Sequence, residues 1–409
     1  MLSRGAGSPH PRTDPFACRG GLGRRLFGMR FLHTADWHLG RVFAGFDLLD
    51  AQSHALEGLV RIAAEAKPEA IVIAGDIYDR GVPPEDAVHL FDDILKRLAE
   101  VAPVLAIAGN HDSGGRIDFG RGLLRQAGVY LAGTSRDGIE RVDIHDDHGV
   151  VAFHLMPYAT PEQVRYELGR DDVRSHDDAT RARIASAAVA GTSRHVLVGH
   201  LFAQGGRETK ESERDIAVGG IATVDPAAFS LFAYTALGHL HRPHRVGTDR
   251  VRYSGSIARY SFAEEDHEKG VSLVEMDAGG SVAVQAIPLP QKHGMRTLRG
   301  SFEELRQQAL ADDRRSLDLV RVVVTDPIMI PGSHDRLRQC YPQLLEFHHE
   351  RPPAEGGVAD QSVPLAVRRS EGEFLNAFFA ARYPGELGDD VRVLARECME
   401  QAIRQEDMA

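Results

Sequence analysis

FLHTADWHLG, residues 31–40, opens as a buried β-strand and closes on an aspartate, the single tryptophan of the chain and a histidine. A strand that merely turned would have no use for Asp36 and His38 at its end. The stretch decides the fold because its pattern recurs. AIVIAGD (70–76) and VLAIAGNHD (104–112) are further apolar runs of strand length, each ending in glycine and then polar donors. Between them, Ala51 to Ala66 reads as an amphipathic helix closed by Lys67-Pro68. A second helix starts near Pro84, where proline suits a first turn, and runs through Leu90, Ile94 and Leu98. Strand, helix, strand, helix, strand is the pattern of an α/β fold with parallel strands.

Outward from this core, apolar runs recur at 149–157, 195–200, 233–241, 251–256, 270–277 and 281–289. The last two, joined by Ala278-Gly279-Gly280, read as a β-hairpin. The first domain therefore spans 29–290. Over 295–350 a β-α-β-α-β pattern forms a small α+β domain, with Ser301 and Glu304 as a capping box at its first helix. A Pro/Gly-rich linker occupies 351–366, and two apolar-faced helices are expected within 367–409. Residues 1–28 are rich in Arg, Gly and Pro, carry one acid (Asp14) and have no periodicity, so they read as a disordered extension.

The 409 residues, 43% hydrophobic and 26% charged, have the balance of an ordinary water-soluble protein. No apolar run is long enough to cross a membrane. Cys18, Cys340 and Cys398 show neither paired nor metal-type spacing, which points to a reducing, cytoplasmic setting. A formal charge of −11 argues against gripping nucleic acid with the whole surface. The chain contains no Gly-Lys dipeptide and hence no P-loop, so any ATP dependence is supplied in trans.

The chemistry lies at the strand ends. The first delivers Asp36 and His38, the second Asp76, the third Asn110 and His111, and two later strands His200, then His239 and His241. Ligands of open α/β sheets bind beyond the carboxyl ends of strands, so these loops can converge on one place. Asp, Asn and His are donors for borderline or hard divalent cations, with no thiolate demanding softer metal. Seven donors, Asp36, His38, Asp76, Asn110, His200, His239 and His241, are too many for one ion and suit two. A pair of ions about 3.5–4 Å apart is the usual apparatus of phosphoester hydrolysis. His111 is left to protonate a leaving oxygen or stabilise charge on phosphorus, with Asp112 to orient it. Trp37 reads as a packing residue, and His33, His54, His89, His154 and His348 as structural or solvated.

D-x-H, G-D-x-x-D, G-N-H-D, Gly199-His200 and G-H-x-H together resemble the calcineurin-like metallophosphoesterase superfamily. MRFLHTADWHLGR (29–41), GDIYDRGVPP (75–84), ALGHLHRPHRV (236–246) and YSGSIARYSFAEEDHEKGVSLVEMD (253–277) narrow it to the nuclease subunits of bacterial SbcC–SbcD complexes. The resemblance implies a β-sandwich flanked by helices, followed by a capping domain. It implies two Mn²⁺ ions, with Mg²⁺ as the substitute: one on Asp36, His38, Asp76 and His241, the other on Asp76, Asn110, His200 and His239. Asp76 would bridge, and His111 would be catalytic. Some relatives carry a mechanistic histidine where this chain has Asp79, whose role stays open. The implied activity is exonuclease on double-stranded DNA ends and endonuclease on single strands or hairpins, in repair, recombination and replication. The implied partners are DNA, an SbcC-type ATPase docked on the C-terminal helices, and a second copy, as a homodimer within a heterotetramer. Arg41, Arg80, Arg116, Arg207 and Arg242 follow the ligand loops and are candidates for phosphate contacts. The rival readings are a phosphatase or phosphodiesterase acting on a small phosphoester, and a non-catalytic scaffold with decayed ligands.

Overall fold

The computed structural model describes residues 28–350, apart from Asp137, Ala188, 210–222 and 315–316. The expected N-terminal extension up to residue 27, the linker and the C-terminal helices lie outside the described residues.

The chain first lays down β1 (Met29–Thr34), α1 (Leu49–Ala66), β2 (Ala70–Ala74), α2 (Glu85–Ala99), β3 (Val104–Ile107) and β4 (Val129–Ala132). These four strands pair in parallel in that order. It then crosses to a second sheet of β5 (Glu140–Asp146), β6 (Gly149–Met156), β7 (His195–His200), β8 (Tyr234–Gly238), β9 (His244–Val246) and β10 (Thr248–Tyr253). Helices α3 (Pro161–Leu168) and α4 (His176–Ser186) lie between β6 and β7 in the chain. Strands β6, β7, β8 and β10 run parallel, with β5 and β9 added antiparallel at the two edges. The hairpin β11 (Gly270–Met276) and β12 (Val282–Pro288) returns to the first sheet, β11 lying antiparallel to β1.

Alternation along each strand builds the layers. Phe31, Val72, Leu105 and Ile107 face Phe153, Val196, Val198 and Tyr234 of the second sheet. Their neighbours Leu32, Ile71, Ile73 and Val104 face Leu56 and Leu59 of α1 and Ile94 and Leu98 of α2. With both faces covered, β2 and β3 read as continuous apolar runs rather than alternating ones. The result is a two-sheet sandwich flanked by helices. The strand ends β1, β2, β3, β7 and β8 open onto one rim.

A third layer follows: β13 (Met295–Gly300), α5 (Phe302–Ala311), β14 (Leu319–Val324), α6 (Ser333–Cys340) and β15 (Leu344–His349), its three strands parallel. Ser301 caps α5 with Glu304 in a reciprocal box. This layer packs against the sandwich rather than standing off from it. Met295 and Leu319 join the apolar cluster of α1 and α2, and the Arg321 guanidinium lies 5.0 Å over the Phe262 ring.

Candidate dinuclear metal site

Beyond β1 and β2 the two segments stay side by side. Asp36 N–H donates to the Gly75 carbonyl at 3.0 Å, His38 N–H to Asp76 at 2.9 Å and Leu39 N–H to Ile77 at 2.9 Å. Keeping that pairing while turning the side chains to the rim forces unusual backbone. Asp36 (φ 52°), His38 (φ 44°), Asp76 (φ 50°) and His239 (φ 105°) all lie at positive φ. Each such non-glycine residue costs on the order of 1–3 kcal/mol and persists only where its surroundings over-determine it. The glycines preceding the donors serve close approach: a Cβ on Gly109 would sit 2.2 Å from Asp76 Oδ1, and one on Gly238 1.9 Å from the Ala74 carbonyl oxygen.

The rim gathers the expected residues around Asp76. Its Oδ2 lies 3.5 Å from His38 Nε2 and 3.4 Å from His200 Nε2. His38 Nε2 is 3.1 Å from His241 Nε2, and His200 Nε2 is 2.9 Å from Asn110 Oδ1. Donor atoms of Asp36, His38 and His241 lie within 4.8 Å of one another, as do those of Asp36, Asp76 and His200, and of His38, Asp76 and His111. His239 is brought in differently. Its backbone N–H donates to the Asp36 carboxylate at 2.9 Å, and its ring lies 5.5 Å from that of His200.

The donor chemistry fits divalent cations. His241 Nδ1–H donates to Glu264 at 2.9 Å, so its Nε2 carries a lone pair turned toward His38. His200 Nδ1–H donates to the Ala74 carbonyl at 2.9 Å, leaving its Nε2 lone pair opposite the Asn110 oxygen. Lone pairs facing one another at hydrogen-bond distance are what a shared cation, or a proton, reconciles. Burial pushes the imidazoles of His38, His239 and His241 below their ordinary value, toward the neutral form that binds metal. Burial opposes the charge on His200 too, but the Asp76 carboxylate beside it lifts His200 to about 9. In return, His200 and His38 hold Asp76 well below the usual carboxylate range despite its burial.

His111 stands at the open edge, its ring 4.7 Å from that of His38 and its backbone N–H on Asp76 Oδ1 at 2.9 Å. The expectation for Asp112 is corrected by the geometry. Its carboxylate accepts the N–H groups of Gly109 (2.9 Å), Tyr78 (2.9 Å) and Ile77 (3.1 Å), tying together the loops after β2 and β3. Backbone donors that a ligand loop cannot pair internally claim that carboxylate. The His111 ring instead donates from Nδ1 to the carbonyl of Asp79 at 2.7 Å. Asp79, whose role the sequence left open, also places its side chain 3.6 Å from His38 Nδ1 and 3.3 Å from Arg41. Arg41 is held over the Tyr260 ring at 5.2 Å, while Arg80, Arg116, Arg207 and Arg242 are exposed. Trp37 packs as expected, buried against Phe91 with its indole N–H on Thr34.

Sequence reading missed the residues behind the site. Gln52, fully buried on α1, donates to the carbonyls of Trp37 (3.0 Å) and His38 (2.7 Å) and accepts from Gly40 N–H (3.1 Å). A glutamine on the otherwise apolar face of α1 was the available signal. Glu264 and Lys269, both buried, stand behind His241. Beside Asn110 opens a cleft of about 770 Å³ whose walls include Thr134, Arg136, Tyr158, Gln163 and Tyr166.

The family model described as calcineurin-like phosphoesterase matches residues 29–242, and that described as Type 5 capsule protein repressor C-terminal domain matches residues 291–383. The chain is 30% identical over 326 residues to a protein from Staphylococcus epidermidis named as the D subunit of nuclease SbcCD, covering 78% of this chain and 84% of that one. A protein of the same name from Staphylococcus saprophyticus is 33% identical over 332 residues, covering 79% and 85%.

Proposed function

The chain belongs to the calcineurin-like phosphoesterase family, and on that footing we propose that it is a Mn²⁺-dependent DNA nuclease subunit. Its substrates would be double-stranded ends, taken as an exonuclease, and single strands or hairpins, cut as an endonuclease. The observation that carries the two-ion reading is the position of Asp76 Oδ2, 3.5 Å from His38 and 3.4 Å from His200, each of which faces a second donor. Asp36, His38, Asp76 and His241 would hold one ion, and Asp76, Asn110, His200 and His239 the other. When bound, two divalent ions activate water and offset the charge that builds on phosphorus. His111, whose Nδ1–H donates to the Asp79 carbonyl, keeps Nε2 for the leaving group and, as the imidazolium, would pass the Nε2 proton to the departing deoxyribose oxygen. The cleft beside Asn110 has room for a nucleotide and displays Arg136 and the exposed Tyr166 to it.

The names of the relatives support an SbcC-type ATPase as partner. Self-association has its own support. Phe119, 86% exposed, stands at the wall of an apolar groove lined also by Phe91, Leu95 and Ile117, and Leu123, four residues on, is 76% exposed. Knob and groove on one face suit a two-fold contact between copies. No helix among the described residues is long and apolar enough to cross a membrane.

The test uses end-labelled linear duplex DNA with Mn²⁺, Mg²⁺ or chelator, the Asp76→Ala variant alongside, and a phosphomonoester dye in parallel. Mn²⁺-dependent release of label, absent in the variant, is expected. Dye hydrolysis without DNA cleavage, alone or with an SbcC-type ATPase and ATP, would replace this reading by a small-phosphoester phosphatase.

A further inference from the structure

Behind His241 lies an ion pair from which water is excluded. Glu264 and Lys269 side chains are both 0% exposed, with Lys269 Nζ 2.5 Å from Glu264 Oε2. The other carboxylate oxygen, Oε1, accepts His241 Nδ1–H at 2.9 Å. Lys269 Nζ also donates to the backbone carbonyl of His241 at 2.9 Å and to Ser256 Oγ at 2.7 Å. One lysine thus grips the same histidine twice, through the carboxylate on its ring and through its main chain.

A buried ion pair is a poor way to stabilise a fold, since apolar side chains of the same volume commonly do as well or better. What the pair can do that leucine and methionine cannot is fix a tautomer. With Nδ1–H committed to Glu264, Nε2 is the only lone pair on the ring, aimed at His38 Nε2 3.1 Å away. A carboxylate on the far nitrogen also makes the ring a stronger donor. His200 hydrogen-bonds through its far nitrogen to the Ala74 carbonyl at 2.9 Å, with the Asp36 carboxylate farther off at 3.9 Å.

We propose that Glu264, clamped by Lys269, is a positioning residue that sets the tautomer, aim and donor strength of His241 for one of the two cations. This rests on the reading of His241 as a ligand. The test compares two paired replacements in the full chain, each removing both charges together. Glu264→Gln with Lys269→Met keeps an oxygen to accept Nδ1–H. Glu264→Leu with Lys269→Met keeps only the volume. Mn²⁺ binding to metal-free protein is measured by titration calorimetry, together with the melting temperature before metal is added, and His241→Ala is run as reference.

The leucine pair is expected to bind one Mn²⁺ 10–100-fold more weakly than wild type, the scale of outer-shell effects, while the other ion is unaffected. The glutamine pair should recover most of that loss, with metal-free melting temperatures of the two pairs alike. Equal Mn²⁺ affinity in the two pairs would make Glu264 a packing residue and overturn the proposal, provided His241→Ala loses an ion. If His241→Ala binds both ions as wild type does, the ligand reading itself falls and takes the proposal with it. Should the leucine pair fail to fold, the glutamine pair against Glu264→Gln alone decides. A buried Lys269 charge without its carboxylate must then weaken the same Mn²⁺ site, and unchanged binding would refute the clamp.

Discussion

Gln52→Leu should damage the site from outside it. Gln52 is fully buried, and its amide serves the segment that carries Asp36 and His38. It donates to the Trp37 carbonyl at 3.0 Å and the His38 carbonyl at 2.7 Å, and accepts Gly40 N–H at 3.1 Å. Leucine matches its volume, so the packing of α1 survives and only the hydrogen bonding changes. The Trp37 carbonyl retains the Tyr260 hydroxyl and the His38 carbonyl retains Arg41 N–H, so those two acceptors lose one bond each. Gly40 N–H loses the Gln52 oxygen as its acceptor. The amide has two N–H groups for three acceptors, the Tyr260 hydroxyl at 3.3 Å being the farthest, so two bonds at about 1 kcal/mol are lost, and with one buried orphan at about 1–3 kcal/mol the sum is roughly 3–5 kcal/mol. The more apolar side chain returns about 1 kcal/mol, leaving roughly 2–4 kcal/mol. At about 2.1 cal/mol/K per residue over roughly 320 residues, this lowers the melting temperature of metal-free protein by about 3–6 °C. Strain adds a second consequence. Asp36 and His38 are held at φ 52° and 44°, and a loosened segment relaxes away from the binding geometry. Mn²⁺ titration should therefore show weaker binding than the stability loss alone would give. A variant melting within about 1 °C of wild type and binding Mn²⁺ normally would refute the claim that Gln52 holds this loop.

His111→Ala should still bind Mn²⁺ and DNA while turnover falls about 10²–10⁴-fold, as for loss of a general acid. Loss of an ion in calorimetry would instead make it a ligand, as its nearness to His38 and Asp76 allows. Gly238→Ala places a Cβ 1.9 Å from the Ala74 carbonyl oxygen, so the sheets must part beside His200, with a loss of about 1–3 kcal/mol read by denaturant titration. Burial would raise the Asp146 carboxyl, but the Arg194 guanidinium, with Nη1 at 2.8 Å, holds it below the usual carboxylate range. A depressed folded-state pKa gives stability that is present above the unfolded value, about 3.9, and is lost as pH falls through the folded one. The melting-temperature gap between wild type and Asp146→Asn should therefore be constant from about pH 7 to 5 and close below about pH 4. Phe119→Asp should leave melting unchanged, since Phe119 is 86% exposed, and abolish the proposed self-association in sedimentation; a wild type that sediments as a monomer would refute the two-fold contact.

The sandwich was legible because parallel strands covered on both faces announce themselves as apolar runs. AIVIA and VLAI became β2 and β3, and the hairpin around Gly279-Gly280 fell where its turn residues put it. Strand β5, Glu140–Asp146, escaped notice for the complementary reason. It is an edge strand whose pattern ERVDIHD is mostly polar, so no apolar run marks it. The candidate donors were legible because each follows a strand directly, and topology sends those ends to one rim.

The outer support was not legible, and the cause is geometric. Gln52 comes from a helix more than a dozen residues beyond the loop it holds, Glu264 and Lys269 from the approach to a returning strand. Each is a common residue type whose role exists only once distant segments meet. Asp112 makes the same point at short range, since adjacency to His111 suggested a partner and the backbone N–H groups of Gly109, Ile77 and Tyr78 took it instead. A side chain's neighbours in sequence say which loop it travels with. Which group it satisfies is decided by the most poorly paired donor within reach, because leaving that donor buried costs more than any single new bond returns. In this rim two of those donors sit at or directly after backbone bent to positive φ: Gly40, at φ 82°, whose N–H is taken by Gln52, and Ile77, which follows Asp76 at φ 50° and whose N–H is taken by Asp112. Supporting residues should therefore be sought where ligand loops strain the main chain, and only afterwards beside the reactive histidine.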